Sequence, residues 1–291
     1  MVTITQTIKL GDWLAQAHQK LVRTSENPSL EAQLLAAHIT GQPRAWIMAH
    51  PETQLSPMQW SKLEKLLKQR QAGKPLPYLL GHWEFYGLDF VITPAVLIPR
   101  PETELLVDVA LHWLSANPGR RLAADVGTGS GCIAVALAHH ISDLNIIATD
   151  LSYPALMIAS QNARKHSPES QILFVQGSLL QTCKGPFDLV CANLPYIPTR
   201  TLSGLEVAQY EPHLALDGGE NGLVLIQDLL QDAVRWLSPG GLLLLEIEAG
   251  QGESVPALAS TFFPGAEIQV NNDLTGNARL VVIERPGKPL K

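Results

Sequence analysis

Two stretches and one isolated acid combine residue types that do chemistry only when a fold brings them together. Asp125-Val126-Gly127-Thr128-Gly129-Ser130-Gly131 is a spaced-glycine run between a strand-like segment, Leu122 to Val126, and a helix-like segment, Ile133 to His140. Glycines in such a turn let backbone approach a ligand closely, and the first N–H groups of the helix point at a bound anion. The Gly-x-Gly-x-Gly spacing is not the Gly-x-Gly-x-x-Gly of dinucleotide folds, and Cys132 stands where that pattern needs its last glycine, which disfavours a nicotinamide cofactor. Asp150 lies 23 residues beyond Gly127, at the end of the next strand-like segment, Asn145 to Thr149. A carboxylate there can accept both hydrogen bonds of a ribose diol. Asp150 or Ser152 would also cap the helix that opens near Pro154; pairing with the glycine loop favours the ribose.

The second stretch, Asn193-Leu194-Pro195-Tyr196, follows the strand-like Phe187 to Ala192. Ligands of open α/β sheets bind at the carboxyl ends of strands, so this tetrapeptide shares a rim with the glycine loop. The Asn193 side-chain oxygen and the Leu194 main-chain carbonyl are two acceptors that can hold the two N–H bonds of a planar amide or exocyclic amine while charge develops on its nitrogen. The same four residues would make an ordinary turn; their place downstream of the loop and Asp150 favours chemistry. The spaced glycines resemble the first motif of S-adenosylmethionine-dependent methyltransferases, whose loop embraces the amino acid half of the cofactor. That likeness implies cofactor contacts for Asp125, at the ammonium end, and for Gly127, Thr128, Gly129, Ser130, Gly131, Asp150 and Asn193. Ser178 stands where related enzymes often carry an acid facing the adenine amine. The Tyr196 ring would press on the substrate plane, and an aromatic face favours a cationic sulfonium methyl.

The elements that must position these residues follow from hydrophobic period. Over residues 1–75, Leu10, Trp13, Leu14, Ala17 and Leu21 fall on one helical stripe, a second apolar segment opens at Asn27-Pro28-Ser29 and stops at Gly41, and a third opens at Ser56-Pro57. Residues 76–101 are proline-rich and hold the alternating Phe85 to Ile92, which reads as a linker with a hairpin. From residue 102 strands and helices alternate, implying a mostly parallel sheet covered on both faces, with Pro239-Gly240-Gly241 as a turn before the strand Leu242 to Ile247 and a closing hairpin at Glu267 to Val270 and Arg279 to Glu284.

Composition narrows the function class. The chain has 291 residues, about two domains' worth at roughly 150 each, and 46% hydrophobic residues support a real core. Its 21 basic and 27 acidic side chains give −6, too acidic to coat nucleic acid by bulk charge. Residues 1–75 hold nine basic and five acidic residues, net +4, which leaves −10 for the remainder. Cys132, Cys183 and Cys191 have no Cys-x-x-Cys spacing, so neither a disulfide framework nor a zinc site is expected, and a reducing cytosol fits. Neither a signal peptide nor a membrane span is expected, and the histidines show no two-His-plus-carboxylate spacing for a metal.

Longer matches make the resemblance specific. Arg70-Gln71-Ala72-Gly73-Lys74-Pro75 with Tyr78-Leu79-Leu80-Gly81, Glu84-Phe85-Tyr86-Gly87, Leu97-Ile98-Pro99-Arg100-Pro101-Glu102-Thr103-Glu104, Tyr210-Glu211-Pro212 with Ala215-Leu216-Asp217-Gly218-Gly219, and Asp273-Leu274-Thr275-Gly276-Asn277 with Arg279 span most of the chain. Together with Asn193 to Tyr196 they resemble the HemK/PrmC family, the peptide chain release factor glutamine methyltransferases. The family tetrapeptide is usually Asn-Pro-Pro-Tyr, and Leu194 replaces its first proline.

The resemblance implies a Rossmann-like class I S-adenosylmethionine-dependent methyltransferase of α/β class, with a seven-stranded mostly parallel sheet over residues 102–291 and a small N-terminal helical bundle, residues 1–75, that helps grip the substrate. It implies methyl transfer, without metal, to the side-chain amide nitrogen of the Gly-Gly-Gln glutamine in class 1 release factors. Asn193, Leu194, Pro195 and Tyr196 would then form the catalytic segment of a cytoplasmic enzyme, monomeric by default, with no direct nucleic-acid substrate. Arg100 and Glu102 to Glu104 would shape the cofactor entrance, or serve simply as helix initiation. The alternatives are an exocyclic-amine methyltransferase for DNA or ribosomal RNA, which would need base flipping and usually a basic recognition region, and a non-catalytic translation-associated binding module.

Overall fold

The computed structural model describes residues 8–169 and 171–287. The chain divides into two compact units, Met1–Gly81 and His82–Lys291. In the first, a two-residue strand β1 (Ile8–Lys9) pairs antiparallel with β2 (Gln54–Leu55) beside the helices α1 (Leu10–Leu21), α2 (Pro28–Thr40), α3 (Arg44–Ala49), α4 (Pro57–Gln71) and α5 (Leu76–Leu80). The stripe expected on α1 is the buried one, with Leu10, Trp13, Ala17 and Leu21 against Ala32, Leu35 and Ala36 of α2 and Leu63 and Leu67 of α4. Ser56 caps α4 through a reciprocal bond with Gln59, ahead of Pro57 in the first turn. Partly buried polar contacts tie the helices: Trp13 Nε1 donates to Glu64 at 3.0 Å, and Arg70 grips Glu31 with two bonds of 2.7 and 3.0 Å.

The second unit opens with a hairpin, β3 (His82–Phe85) and β4 (Leu88–Val91), so the proline-rich stretch 76–101 contains both α5 and this hairpin. Its two turn residues, Tyr86 and Gly87, both have positive φ, 53° and 73°, as a tight primed turn requires. A single 3₁₀ turn at Pro101–Thr103 leads into α6 (Glu104–Ala116). The alternating series follows: β5 (Leu122–Val126), α7 (Cys132–His140), β6 (Asn145–Asp150), α8 (Tyr153–His166), β7 (Gln171–Gln176), β8 (Phe187–Ala192), the one-turn α9 (Thr199–Leu202), α10 (Val224–Trp236), β9 (Leu237–Glu246), α11 (Ser254–Phe262), β10 (Glu267–Asn272) and β11 (Ala278–Glu284).

The seven strands order as β10-β11-β9-β8-β5-β6-β7, with β9 to β7 parallel and the β10–β11 hairpin antiparallel at one edge. The chain runs outward from β5 to β6 and β7, then returns to place β8 on the other side of β5. That reversal makes the carboxyl ends of β5 and β8 the crevice where open α/β sheets bind ligands. Register sharpens it: Val126 pairs with Ala192, so the glycine loop and Asn193 leave the sheet side by side.

One expectation is corrected. Pro239-Gly240-Gly241 is not a turn ahead of the strand but lies inside β9, where Phe187 pairs with Leu237 and Leu189 with Leu242, a bulge that packs extra residues against β8. The strand continues because its neighbours hold the bulge. Arg120 bonds the Pro239 carbonyl at 2.9 Å while pairing with Asp188, and Gly240 N donates to the Arg285 carbonyl.

Candidate active site

The loop after β5 is locked from behind. Gly127 and Thr128 donate their N–H groups to the Thr149 carbonyl of β6, both at 2.9 Å, and Gly131 N donates to Thr128 O. Asp125 is 1% exposed; its Oδ2 accepts from the Thr128 hydroxyl at 2.6 Å and from Ala134 N at 3.2 Å, and its Oδ1 has no hydrogen-bond partner. Burial pushes this carboxyl up to about 6 against those two bonds, and the charge of Asp150 adds to the rise. Gly131 must be glycine: its φ is +79°, and a Cβ would stand 3.0 Å from the Ala159 Cβ of α8. Asn162 of α8, fully buried, donates to the Ser130 carbonyl at 2.9 Å and exchanges two bonds with Val91 of the hairpin.

Asp150 closes the front of the loop. Its Oδ2 accepts from Gly129 N at 2.9 Å and its Oδ1 from Ser152 N at 2.8 Å, while Ser152 performs the capping of α8 by accepting from Ala155 N. The helix cap is therefore the serine. Each carboxylate oxygen keeps a lone pair for a further donor. Burial raises the carboxyl above its usual range against bonds from the Ser152, Gly129 and Leu151 N–H groups.

The tetrapeptide is anchored from three sides. Asn193 Nδ2 donates to the Thr103 hydroxyl at 3.1 Å, which turns Oδ1 away as the free acceptor. Leu194, 4% exposed, joins the main core, and its Cδ2 lies 3.2 Å from where a Gly127 Cβ would be, so the residue in the usual proline position packs on the glycine loop. Gly218 and Gly222 back Tyr196: a Cβ on Gly218 would sit 2.7 Å from both Pro195 O and Tyr196 Cα, and one on Gly222 would sit 2.2 Å from Tyr196 O. Burial raises the Tyr196 hydroxyl pKa; Glu246 and Glu102 add to the rise and Arg279 and Arg100 oppose it.

Gly127, Gly129, Asp150, Ser178, Asn193, Leu194 and Pro195 converge on one cavity of about 440 Å³, within the range of small-molecule sites. Asp125, Thr128, Ser130, Gly131 and Tyr196 are not on its wall; the first four form the backing of the loop. Sequence reading gave no site role to the segments that complete the cavity, Ala95 to Leu97 and Pro212 to Ala215 with Asp217, although the motifs quoted above run through part of each. They are tied together by Glu211, 5% exposed, which accepts from Ile98 N at 3.1 Å and from Arg100 at 2.5 Å. Arg100 thus acts by holding this closure. The motifs containing both partners were visible, but not that they pair. Asn162 was missed as well, its only signal being an amide among the apolar positions of a helix.

The cavity suits an adenosyl amino acid. Bare glycine backbone meets one part, the paired oxygens of Asp150 meet a diol, and Leu151, Leu179 and Leu225 offer apolar wall. Among the described residues no group of three or more His, Cys, Asp or Glu is placed to hold a metal ion.

Comparison with known proteins agrees with this architecture. Residues 12–81 match the model of the PrmC N-terminal domain, and residues 103–208 that of the methyltransferase small domain. A release factor glutamine methyltransferase of Moorella thermoacetica is 42% identical over 262 residues, covering 89% of this chain and 92% of the relative. One of Nitratidesulfovibrio vulgaris is 38% identical over 289 residues, covering 97% of each. Among solved structures, the hMettl16 catalytic domain in complex with an RNA hairpin superposes with a TM-score of 0.55 at 13% identity, covering 81% of this chain and 84% of that one. A T. thermophilus 16S rRNA methyltransferase in complex with AdoMet and guanosine gives 0.51 at 15%, covering 70% and 49%. At those identities the likeness is one of fold, that of class I methyltransferases.

Proposed function

Because the chain belongs to the release factor glutamine methyltransferase family, matching its members along nearly the whole length, we propose that it methylates the side-chain amide nitrogen of the glutamine in the Gly-Gly-Gln motif of class 1 release factors, with S-adenosylmethionine as the donor. The observation that carries the reading is the Asn193 amide, anchored through Nδ2 on Thr103 with Oδ1 free, beside the glycine loop.

In this mechanism Gly127, Gly129 and Asp150 hold the cofactor, and Ser178 and Leu179 lie along its far end. Bound there, S-adenosylmethionine supplies an electrophilic methyl on a sulfonium leaving group. The chain's own residues align the acceptor. Asn193 Oδ1 and the Leu194 carbonyl take the two N–H bonds of the substrate amide, which orients its nitrogen and stabilises the positive charge that develops as it is alkylated. Tyr196, backed by Gly218 and Gly222, walls the substrate plane. No base is needed before transfer, since the alkylated nitrogen is acidic and gives up its proton afterwards. The helical unit, with the net +4 of residues 1–75, docks the release factor, and the acidic remainder disfavours a nucleic-acid acceptor. We place the enzyme in the cytoplasm, as a monomer; no described helix is long and apolar enough to cross a membrane.

The test is incubation with labelled S-adenosylmethionine and, separately, a release factor, its Gly-Gly-Gln variant with the glutamine replaced, DNA, or ribosomal RNA. Label on the release factor that disappears with the glutamine is expected. Label on nucleic acid alone would overturn the assignment.

A further inference from the structure

Asn162 lies on α8 at 0% exposure, and its side-chain amide makes three hydrogen bonds. Its Oδ1 accepts from Val91 N at 2.8 Å, and its Nδ2 donates to Val91 O at 3.1 Å and to Ser130 O at 2.9 Å. Val91 ends β4 and Ser130 belongs to the glycine loop, so one side chain joins hairpin, helix and loop.

Donor inventory explains the residue type. A carboxamide carries two N–H protons and an acceptor oxygen, the same groups that a neighbouring strand would offer. Asn162 meets both the N–H and the C=O of Val91, which point to the same side of β4, away from β3. That use takes the oxygen and one proton, and the remaining proton goes to Ser130. An aspartate has no donor and a serine has one, so among short side chains only asparagine completes all three bonds. The direction of the amide is fixed as well, because Val91 N can only donate and the two carbonyls can only accept.

The bond to Ser130 holds the turn that forms the cavity wall. Within that turn Gly131 N donates to Thr128 O at 2.8 Å, and Gly127 and Gly129 line the cavity. Ser130 is 2% exposed, so its carbonyl, once released, would be a buried acceptor without a partner, and the loop would have to move to hydrate it.

We propose that Asn162 is a positioning residue for cofactor binding: by fastening the Ser130 carbonyl to the outer edge of the hairpin, it keeps the glycine loop in the shape that carries Gly127 and Gly129 to the cavity. The inference rests on the reading of that cavity as the S-adenosylmethionine site. Asn162 is not on the cavity wall and acts through Ser130.

The test uses the full-length chain with Asn162→Asp, which keeps the shape and the acceptor and removes both donors, and with Lys165→Met as control. Lys165 also ties α8 to β4, through Asp89 at 2.7 Å, on the exposed side of the same contact. Calorimetric titration, run well below each unfolding midpoint, is expected to show the S-adenosylmethionine Kd raised about tenfold for Asn162→Asp, the scale of one lost hydrogen bond, and within about twofold of wild type for Lys165→Met. Hydrogen exchange over peptide fragments supplies a readout that a merely structural role would not move. The glycine loop should exchange faster in Asn162→Asp, while β8 keeps its wild-type rates. Asn162→Ala, which leaves room for water to serve the three freed groups, takes the place of Asn162→Asp if the carboxylate prevents folding.

A Kd for the Asn162 variant within about twofold of wild type, an equal rise in Lys165→Met, or exchange that accelerates uniformly would overturn the proposal. A wild type that does not bind S-adenosylmethionine refutes the cofactor reading instead, and the exchange comparison still decides whether Asn162 holds the loop.

Discussion

Replacing Asp150 by alanine separates cofactor binding from local structure. The carboxylate uses one lone pair on each oxygen for Gly129 N and Ser152 N, at 2.9 and 2.8 Å, and keeps a second on each for a ribose diol. Hydrogen bonds to a charged acceptor contribute about 1.5–3 kcal/mol each, so losing the pair should weaken S-adenosylmethionine by about 3 kcal/mol, roughly a hundredfold in Kd. The two orphaned N–H groups lie at a partly open rim and should lower folding stability by at most about 2 kcal/mol. The start of α8 is spared, because Ser152 caps it. Calorimetric titration with S-adenosylmethionine, run well below the variant's unfolding midpoint, measures the first effect, and thermal denaturation the second. Ser152→Ala is the control: it should cost about 1 kcal/mol of stability for the lost cap and change Kd by less than about threefold. A Kd for Asp150→Ala within about twofold of wild type would refute the reasoning and leave Asp150 as a brace for the glycine loop.

Asn193→Ala should leave cofactor Kd nearly unchanged while methylation falls about 10²–10³-fold, the usual loss for one group that stabilises developing charge; unchanged turnover would remove it from the mechanism. Deleting residues 1–81 should raise KM for a whole release factor far more than for a short Gly-Gly-Gln peptide, and equal effects would end the docking role of the helical unit. Glu246 gives a pH signature. Burial lifts its carboxyl from 4.5 to about 7, against the nearby Thr103 hydroxyl and the charges of Arg279 and Arg100, with Glu102 adding to the rise. A raised folded-state value means that the unfolded chain ionises first, so the stability associated with this group is full below pH 4.5 and is lost by about pH 7. Relative to Glu246→Gln, the wild type should lose at most about 3 kcal/mol across that window. Denaturation midpoints of the two proteins that run parallel from pH 4.5 to 7 would contradict the buried ionisation.

Much of the site was legible in the chain itself, because it depends on local backbone rules. A strand running into spaced glycines and then a helix admits few geometries, and positive φ at Gly127, Gly129 and Gly131 bears out the turn. The alternation after residue 102 fixed a parallel sheet, whose carboxyl-end rim holds Gly127, Asp150 and Asn193 alike. Ser56-Pro57 likewise announced α4, since the cap and the first-turn proline act within four residues.

What the tertiary structure decided lies in pairings across long separations, which no local rule encodes. Thr103 meets Asn193 across 90 positions, and Ile98 meets Glu211 across 113. Asp125, read as a cofactor contact, sits behind the wall with its Oδ2 committed to Thr128 and Ala134, and the choice between Asp150 and Ser152 as helix cap was settled only by which oxygen accepts from Ala155. Pro239-Gly240-Gly241 carries the local signature of a turn, yet the backbone bonds of Gly240 and Gly241 with Arg285 and the Arg120 bond to the Pro239 carbonyl keep it in the strand as a bulge. In sequence the residue types able to do chemistry were visible; which lone pair or proton each one has left to offer depends on neighbours that only the folded sheet brings within hydrogen-bond reach.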